Sequence, residues 1–170
     1  MKHTLSVLVE NRPGVLMRVT SLFVRRGYNI DSLAVGPTER GDISRITLRV
    51  DCSQHSLEQI EKQMHKLVNV LRVTDLDPGE ALERELLLAK VAVQPDRRAE
   101  VMSLAEVFHA RVIDLGPDAL IFEVVGTPEE LEAFEELVRP YGIKELVRTG
   151  RIGMGRASAA KSAARRLAVI

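Results

Sequence analysis

Tryptophan is absent, and aromatic residues of any kind make up 4% of this 170-residue chain, too few for a surface that stacks nucleic-acid bases. A single cysteine, Cys52, cannot close an internal disulfide. It has no second thiol with which to build a cysteine-rich zinc or iron–sulfur site, so a reducing, cytoplasmic setting is expected. No apolar run approaches the ~20 residues of a membrane helix, and Met1-Lys2-His3 leads straight into an apolar strand, which leaves no signal or transit peptide to expect. The histidines His3, His55, His65 and His109 fall in four different predicted elements without a His-x-x-x-His pair, so no metal site is expected. Missing too are a Gly-x-Ser-x-Gly elbow, a phosphate-binding Gly-x-x-x-x-Gly-Lys-Ser/Thr loop and a Gly-x-Gly-x-x-Gly helix opening. Gly153-Met154-Gly155 lacks the third glycine and follows the last predicted strand. These absences argue against an enzyme.

What is there is ordinary globular material, 45% hydrophobic and 28% charged, with a net charge of zero. The zero hides an asymmetry. Arg151, Arg156, Lys161, Arg165 and Arg166 give residues 150–170 a charge of +5 with no acid, leaving −5 on the remainder. Gly150, Gly153 and Gly155, followed by an Ala-rich run, read as a flexible connector and a short helix, so residues 157–170 are expected to form a basic, flexible tail.

The stretch Asn11-Arg12-Pro13-Gly14-Val15-Leu16-Met17-Arg18-Val19 interrupts an apolar strand with a Pro-Gly turn and opens directly into an amphipathic helix. Pro13 removes one donor, Gly14 permits close approach of a guest, and the amides of the first turn have no intrahelical partner. Free amides and the positive end of a helix dipole suit a carboxylate or phosphate. A well-made turn capped by Asn11 accounts for the same residues without any ligand.

Periodicity organises the rest. Residues 3–9 read as a strand, 14–25 as a helix ended by Gly27, 29–35 and 43–50 as a hairpin, 56–67 as a helix and 70–76 as a strand. Residues 83–93, 97–108, 110–115, 119–125, 128–138 and 143–149 repeat the order strand, helix, strand, strand, helix, strand. The expected fold is therefore α+β, two tandem ferredoxin-like βαββαβ domains at 1–77 and 78–156, each with both helices on one side of a four-stranded sheet. RNA recognition motifs share this order, but here the central strands carry a single aromatic, Phe122, and no nucleic-acid partner is expected. The lightly charged first strand and the strand at 29–35 invite pairing with a second copy, so a homodimer is expected.

Three segments carry a family resemblance: Leu5 to Val19, Arg25-Arg26-Gly27-Tyr28-Asn29-Ile30-Asp31-Ser32-Leu33, and Ser44-Arg45-Ile46-Thr47. Together they strongly resemble the ACT domain of the regulatory small subunit of acetohydroxyacid synthase, also called acetolactate synthase. The likeness continues through residues 59–73, Glu83-Arg84-Glu85-Leu86 and Ile113-Asp114-Leu115, and covers residues 1–156.

The resemblance implies that the first domain is an ACT domain, pairing edge to edge with its copy into an eight-stranded sheet and holding a branched-chain amino acid, valine above all, at the seam. It implies a ligand carboxylate on the loop of Asn11, Pro13, Gly14, Val15 and Leu16, polar contacts from Asn29 of the partner subunit, and a branched side chain enclosed by Val15, Leu16 and Ile30. The chain itself would be non-catalytic and without cofactor, exerting feedback inhibition on branched-chain amino acid biosynthesis. Thiamine diphosphate, Mg²⁺ and FAD would belong to a separate catalytic large subunit. The competing expectation is a free-standing tandem ACT sensor with no catalytic partner.

Overall fold

The computed structural model describes residues 2–157, and the chain packs as two units. The first contains β1 (Lys2–Glu10), α1 (Val15–Arg26), β2 (Ile30–Pro37), β3 (Ile43–Asp51), α2 (Leu57–Met64) and β4 (Val70–Asp75). Its sheet is antiparallel in the order β2-β3-β1-β4, with β2 and β4 at the edges. Alternate residues of the central strands, Leu5, Val7 and Val9 on β1 and Ile46, Leu48 and Val50 on β3, are buried with Val15, Val19, Leu22 and Phe23 of α1 and Ile60 and Met64 of α2. The period of two in the strands meets the period near four in the helices, and one core results.

Local chemistry sets the ends of these helices. Gly27 takes the left-handed conformation at φ 67° and donates its N–H to the carbonyls of Phe23 and Val24, with Arg25 and Arg26 in the last turn facing the negative end of the dipole. Ser56 caps α2 by accepting the Gln59 N–H. That helix stops at Met64 instead of continuing to residue 67, because the Lys66 and Leu67 amides turn back to Gln63 and Met64, three residues behind.

The second unit comprises most of β5 (Ala81–Ala92), then α3 (Arg98–Glu106), β6 (Arg111–Leu115), β7 (Ala119–Gly126), α4 (Pro128–Val138) and β8 (Ile143–Arg148), with strand order β6-β7-β5-β8. Phe134 of α4 is fully buried and meets the rings of Phe108 and Phe122 edge-on, each at 5.7 Å between centroids. A complete capping box, Thr127 with Glu130 and Pro128 in the first turn, starts α4.

One strand escaped the sequence reading. Residues Ile152–Gly155, expected as a flexible connector, form β9 and pair with β5. The Arg156 N–H donates to the Glu80 carbonyl at 2.7 Å, and Gly153 sits so close beneath Leu76 that a Cβ there would lie 2.6 Å from Leu76 Cδ1. In consequence the first unit runs to Glu83 and takes the chain back from Arg151, and the second spans Arg84–Gly150, where the sequence had suggested a single boundary after residue 77. Of the basic tail expected at 157–170, residues 158–170 lie outside the described residues.

Two substitutions test this packing. Phe134→Ala removes the ring shared by Phe108 and Phe122 and is expected to cost about 3–5 kcal/mol. Val24→Ala, at a side chain 80% exposed on α1, is expected to change stability by no more than about 0.5 kcal/mol. Urea unfolding followed by circular dichroism measures both.

Candidate functional site

The connection from β1 to α1 is held from two sides. Asn11 donates its backbone N–H to the Asp42 carbonyl at 2.8 Å and its side-chain Nδ2–H to the Gly41 carbonyl at 2.9 Å, fastening the loop to the β2–β3 hairpin. The Glu10 N–H donates to the Asn69 carbonyl, Asn69 Nδ2 donates to the Glu10 carboxylate, and Arg18 donates to Asn69 Oδ1 at 2.7 Å. At the hairpin tip, the hydrogen bond from the Arg40 guanidinium holds the Asp42 carboxyl below its usual range. Asn11 is thus a clamp between two loops and does not cap the helix.

Gly14 then occupies the left-handed region at φ 81°, ψ −5°, and α1 begins with no side-chain cap. A Cβ on Gly14 would meet nothing within 4 Å. The glycine is required by its backbone conformation, and the space beside it is open to a guest. Arg18 N–H reaches the Gly14 carbonyl and Val15 N–H the Arg12 carbonyl, whereas the amides of Leu16 and Met17 find no acceptor among the described residues. The first turn of α1 also lacks an acidic side chain, while α2 carries Glu58 and α4 carries Glu129 and Glu130 in that position. A helix start with two spare donors and an unneutralised dipole is a place for an anion.

The other anticipated residues divide by exposure. Pro13 and Leu16 are exposed, the latter at 39%, and face outward beside the free amides. Val15 is buried in the core at 4%, so it offers the loop its backbone and not its isopropyl group. Asn29 is exposed, with its Nδ2–H on Asp31 Oδ1 at 2.9 Å, and its own Oδ1 accepts no hydrogen bond among the described residues. Ile30 is half-buried against the core.

Within one chain these residues do not meet. Glu10, which leads into the loop, pairs with Ile43 at one end of β3, and Ile30 pairs with Val50 at the other end. Seven residues of extended strand separate the two, about 23 Å at ~3.3 Å per residue. Between them runs the free edge β2, Ile30–Pro37, whose only charge is Asp31 at its beginning and whose Val35 is 48% exposed. It has none of the lysines that protect sheet edges.

Sequence reasoning missed the tethers Asn69 and Asp31, since nothing in spacing joins Asn69 to residues 59 positions earlier. Among the described residues no group of three or more His, Cys, Asp or Glu side chains stands ready for a metal, and no helix is long and apolar enough to cross a membrane.

An antiparallel βαββαβ unit with an anion-ready helix start fits the ACT class, and residues 5–72 match the model described as the AHAS small subunit-like ACT domain. Residues 84–157 match the model for the small subunit of acetolactate synthase. The chain is 48% identical over 156 residues to a probable acetolactate synthase small subunit of Archaeoglobus fulgidus, covering 92% of this chain and 98% of that one. It is 46% identical to the acetolactate synthase small subunit of Mycolicibacterium smegmatis, covering 91% of each. The crystal structure of the small subunit from Thermotoga maritima superposes with a TM-score of 0.85 at 40% identity, over 92% of this chain and 98% of that one. This chain belongs to the acetolactate synthase small-subunit family.

Gly14→Ala is expected to destabilise the protein by about 1–2 kcal/mol through backbone strain alone. Gly41→Ala, at a glycine with ordinary φ and equally open surroundings, is expected to stay within about 0.5 kcal/mol. Urea midpoints of the two variants decide whether conformation or crowding sets the requirement at Gly14.

Proposed function

We propose that this chain is the non-catalytic regulatory subunit of an acetolactate synthase and binds valine in a site shared between two copies of itself. The observation that carries the reading is the separation of the Gly14 loop from Asn29 by the length of the sheet. Antiparallel pairing of β2 with its copy about a two-fold axis sets the start of one strand beside the end of the other. The Pro37 end of β2 lies two strands from the Gly14 loop of its own chain, so this pairing carries Asn29 of the partner subunit toward that loop.

In such a seam the valine carboxylate takes the spare amides of Leu16 and Met17 and the positive end of α1. The ammonium takes Asn29 Oδ1 of the partner subunit, left free while Asp31 engages the amide nitrogen. Leu16 and the partner's Ile30 cover the isopropyl group. One methylene changes affinity by about 1–3 kcal/mol in an apolar pocket, so leucine and isoleucine compete partially.

The second unit offers no equivalent site. Its β5–α3 connection, Gln94-Pro95-Asp96-Arg97, is a 3-10 turn without a positive-φ glycine, and Glu100 already stands in the first turn of α3. One site per chain follows.

Feedback then operates by linkage. Valine favours one arrangement of the regulatory dimer, and the difference in affinity biases the attached large subunit. Thiamine diphosphate, Mg²⁺ and FAD, with the carbon–carbon bond chemistry they support, reside on that large subunit. The similarity to named small subunits along nearly the whole chain favours this reading over a sensor that acts without a catalytic partner.

Isothermal titration of the purified chain with L-valine is expected to show about one site per protomer. Asn29→Ala is expected to weaken binding about tenfold or more, the loss of a hydrogen bond to a charged group. Saturation at two sites per protomer, or no binding either alone or with the catalytic subunit, refutes the reading.

A further inference from the structure

The second unit is an insertion in the first: the chain leaves after Glu83 and returns at Arg151. The residues at exit and return are joined, Arg151 Nη1 donating to Glu83 Oε2 at 3.0 Å with side-chain exposures of 18% and 17%. The Arg151 backbone N–H also points to Ser32 Oγ on β2 at 3.4 Å. Ser32 is the first paired residue after a register shift on β2, and Asp31 within that shift is held by Lys2 Nζ at 2.7 Å and by Asn29 Nδ2 at 2.9 Å. Asn29 and Ile30, which the proposed effector touches, immediately precede the shift. A β-bulge is the place where an edge strand changes direction with least cost to the ladder around it.

We propose that the Ser32–Arg151–Glu83 contact couples the effector seam to the inserted unit; this rests on the valine-site reading. A ligand that pulls on Asn29 and Ile30 repositions the bulge, and Ser32 carries the displacement to Arg151. Through the largely buried ion pair it reaches both covalent connections of the inserted unit together, and does not stay local to the edge. Next to this contact β9 is itself seated, with Gly153 beneath Leu76 and the Arg156 N–H on the Glu80 carbonyl.

The test uses the full chain reconstituted with its catalytic large subunit, and compares wild type with Arg151→Gln, Ser32→Ala and the charge-exchanged pair Glu83→Arg with Arg151→Glu. Two quantities are measured for each: the dissociation constant for L-valine by titration, and the valine concentration that halves acetolactate formation. Coupling predicts valine affinity within about twofold of wild type for Arg151→Gln and Ser32→Ala, with the half-inhibitory concentration raised about fivefold or more. Recovery of inhibition in the exchanged pair is also expected. Ser32→Ala removes only a hydroxyl acceptor, so it decides the matter if Arg151→Gln fails to fold. Inhibition unchanged in both variants overturns the proposal, as does a parallel loss of binding and inhibition. A wild-type chain that binds no valine defeats the effector reading itself, and the coupling with it; normal wild-type binding and inhibition, with both variants inhibited at the wild-type valine concentration, defeats the coupling alone.

Discussion

Strand register in the first unit constrains everything else about this molecule. Because β1 and β2 both run antiparallel to β3, which lies between them, the turn that β1 makes into α1 and the residue with which the chain enters β2 lie at opposite ends of one sheet. Each end is prepared by local chemistry. The helix start has a left-handed glycine and two spare amides, and the strand start has an asparagine whose nitrogen is engaged and whose oxygen is free. Neither end alone offers both an anion site and an acceptor for an ammonium group. In the proposed dimer, a zwitterionic amino acid is recognised because two-fold pairing of β2 joins the complementary ends, and recognition and dimerisation become one equilibrium.

Much of this was legible in the sequence, for identifiable reasons. The period-two runs in β1 and β3 and the apolar spacing of Val15, Val19, Leu22 and Phe23 encode burial directly, and the core is composed of those residues. Pro128 after Thr127, and Gly27 after Arg25-Arg26, are local punctuation that tertiary structure had no reason to override. The repeated order of strands and helices is enough to define the ferredoxin-like fold, although the two halves share little residue identity.

What was not legible depended on long-range pairing. Asn11 has the composition of a helix cap, yet both its N–H groups are drawn to a hairpin tip 30 residues away, a preference no local window contains. The pocket role of Val15 is implied by the family resemblance alone, and helix phase, which its spacing already indicates, turns the side chain inward. β9 reads as a connector because Gly153 and Gly155 lower strand propensity; in the fold Gly153 lies against Leu76, whose Cδ1 would have to shift to admit a Cβ. The division into units moved with it, since a strand that returns to β5 makes the second unit an insertion.

Sharing of the site between protomers is the central claim, and subunit complementation tests it most directly. Gly14→Asp and Asn29→Ala chains are each purified, titrated alone at an L-valine concentration that saturates wild type but not either variant, then mixed under exchange conditions and titrated again. In a mixed dimer one seam combines the intact loop of one chain with the intact Asn29 of the other, so random exchange is predicted to restore binding at about a quarter of all sites. A mixture as inert as its two components, in which mixed dimers are demonstrably present, contradicts a site made by two chains.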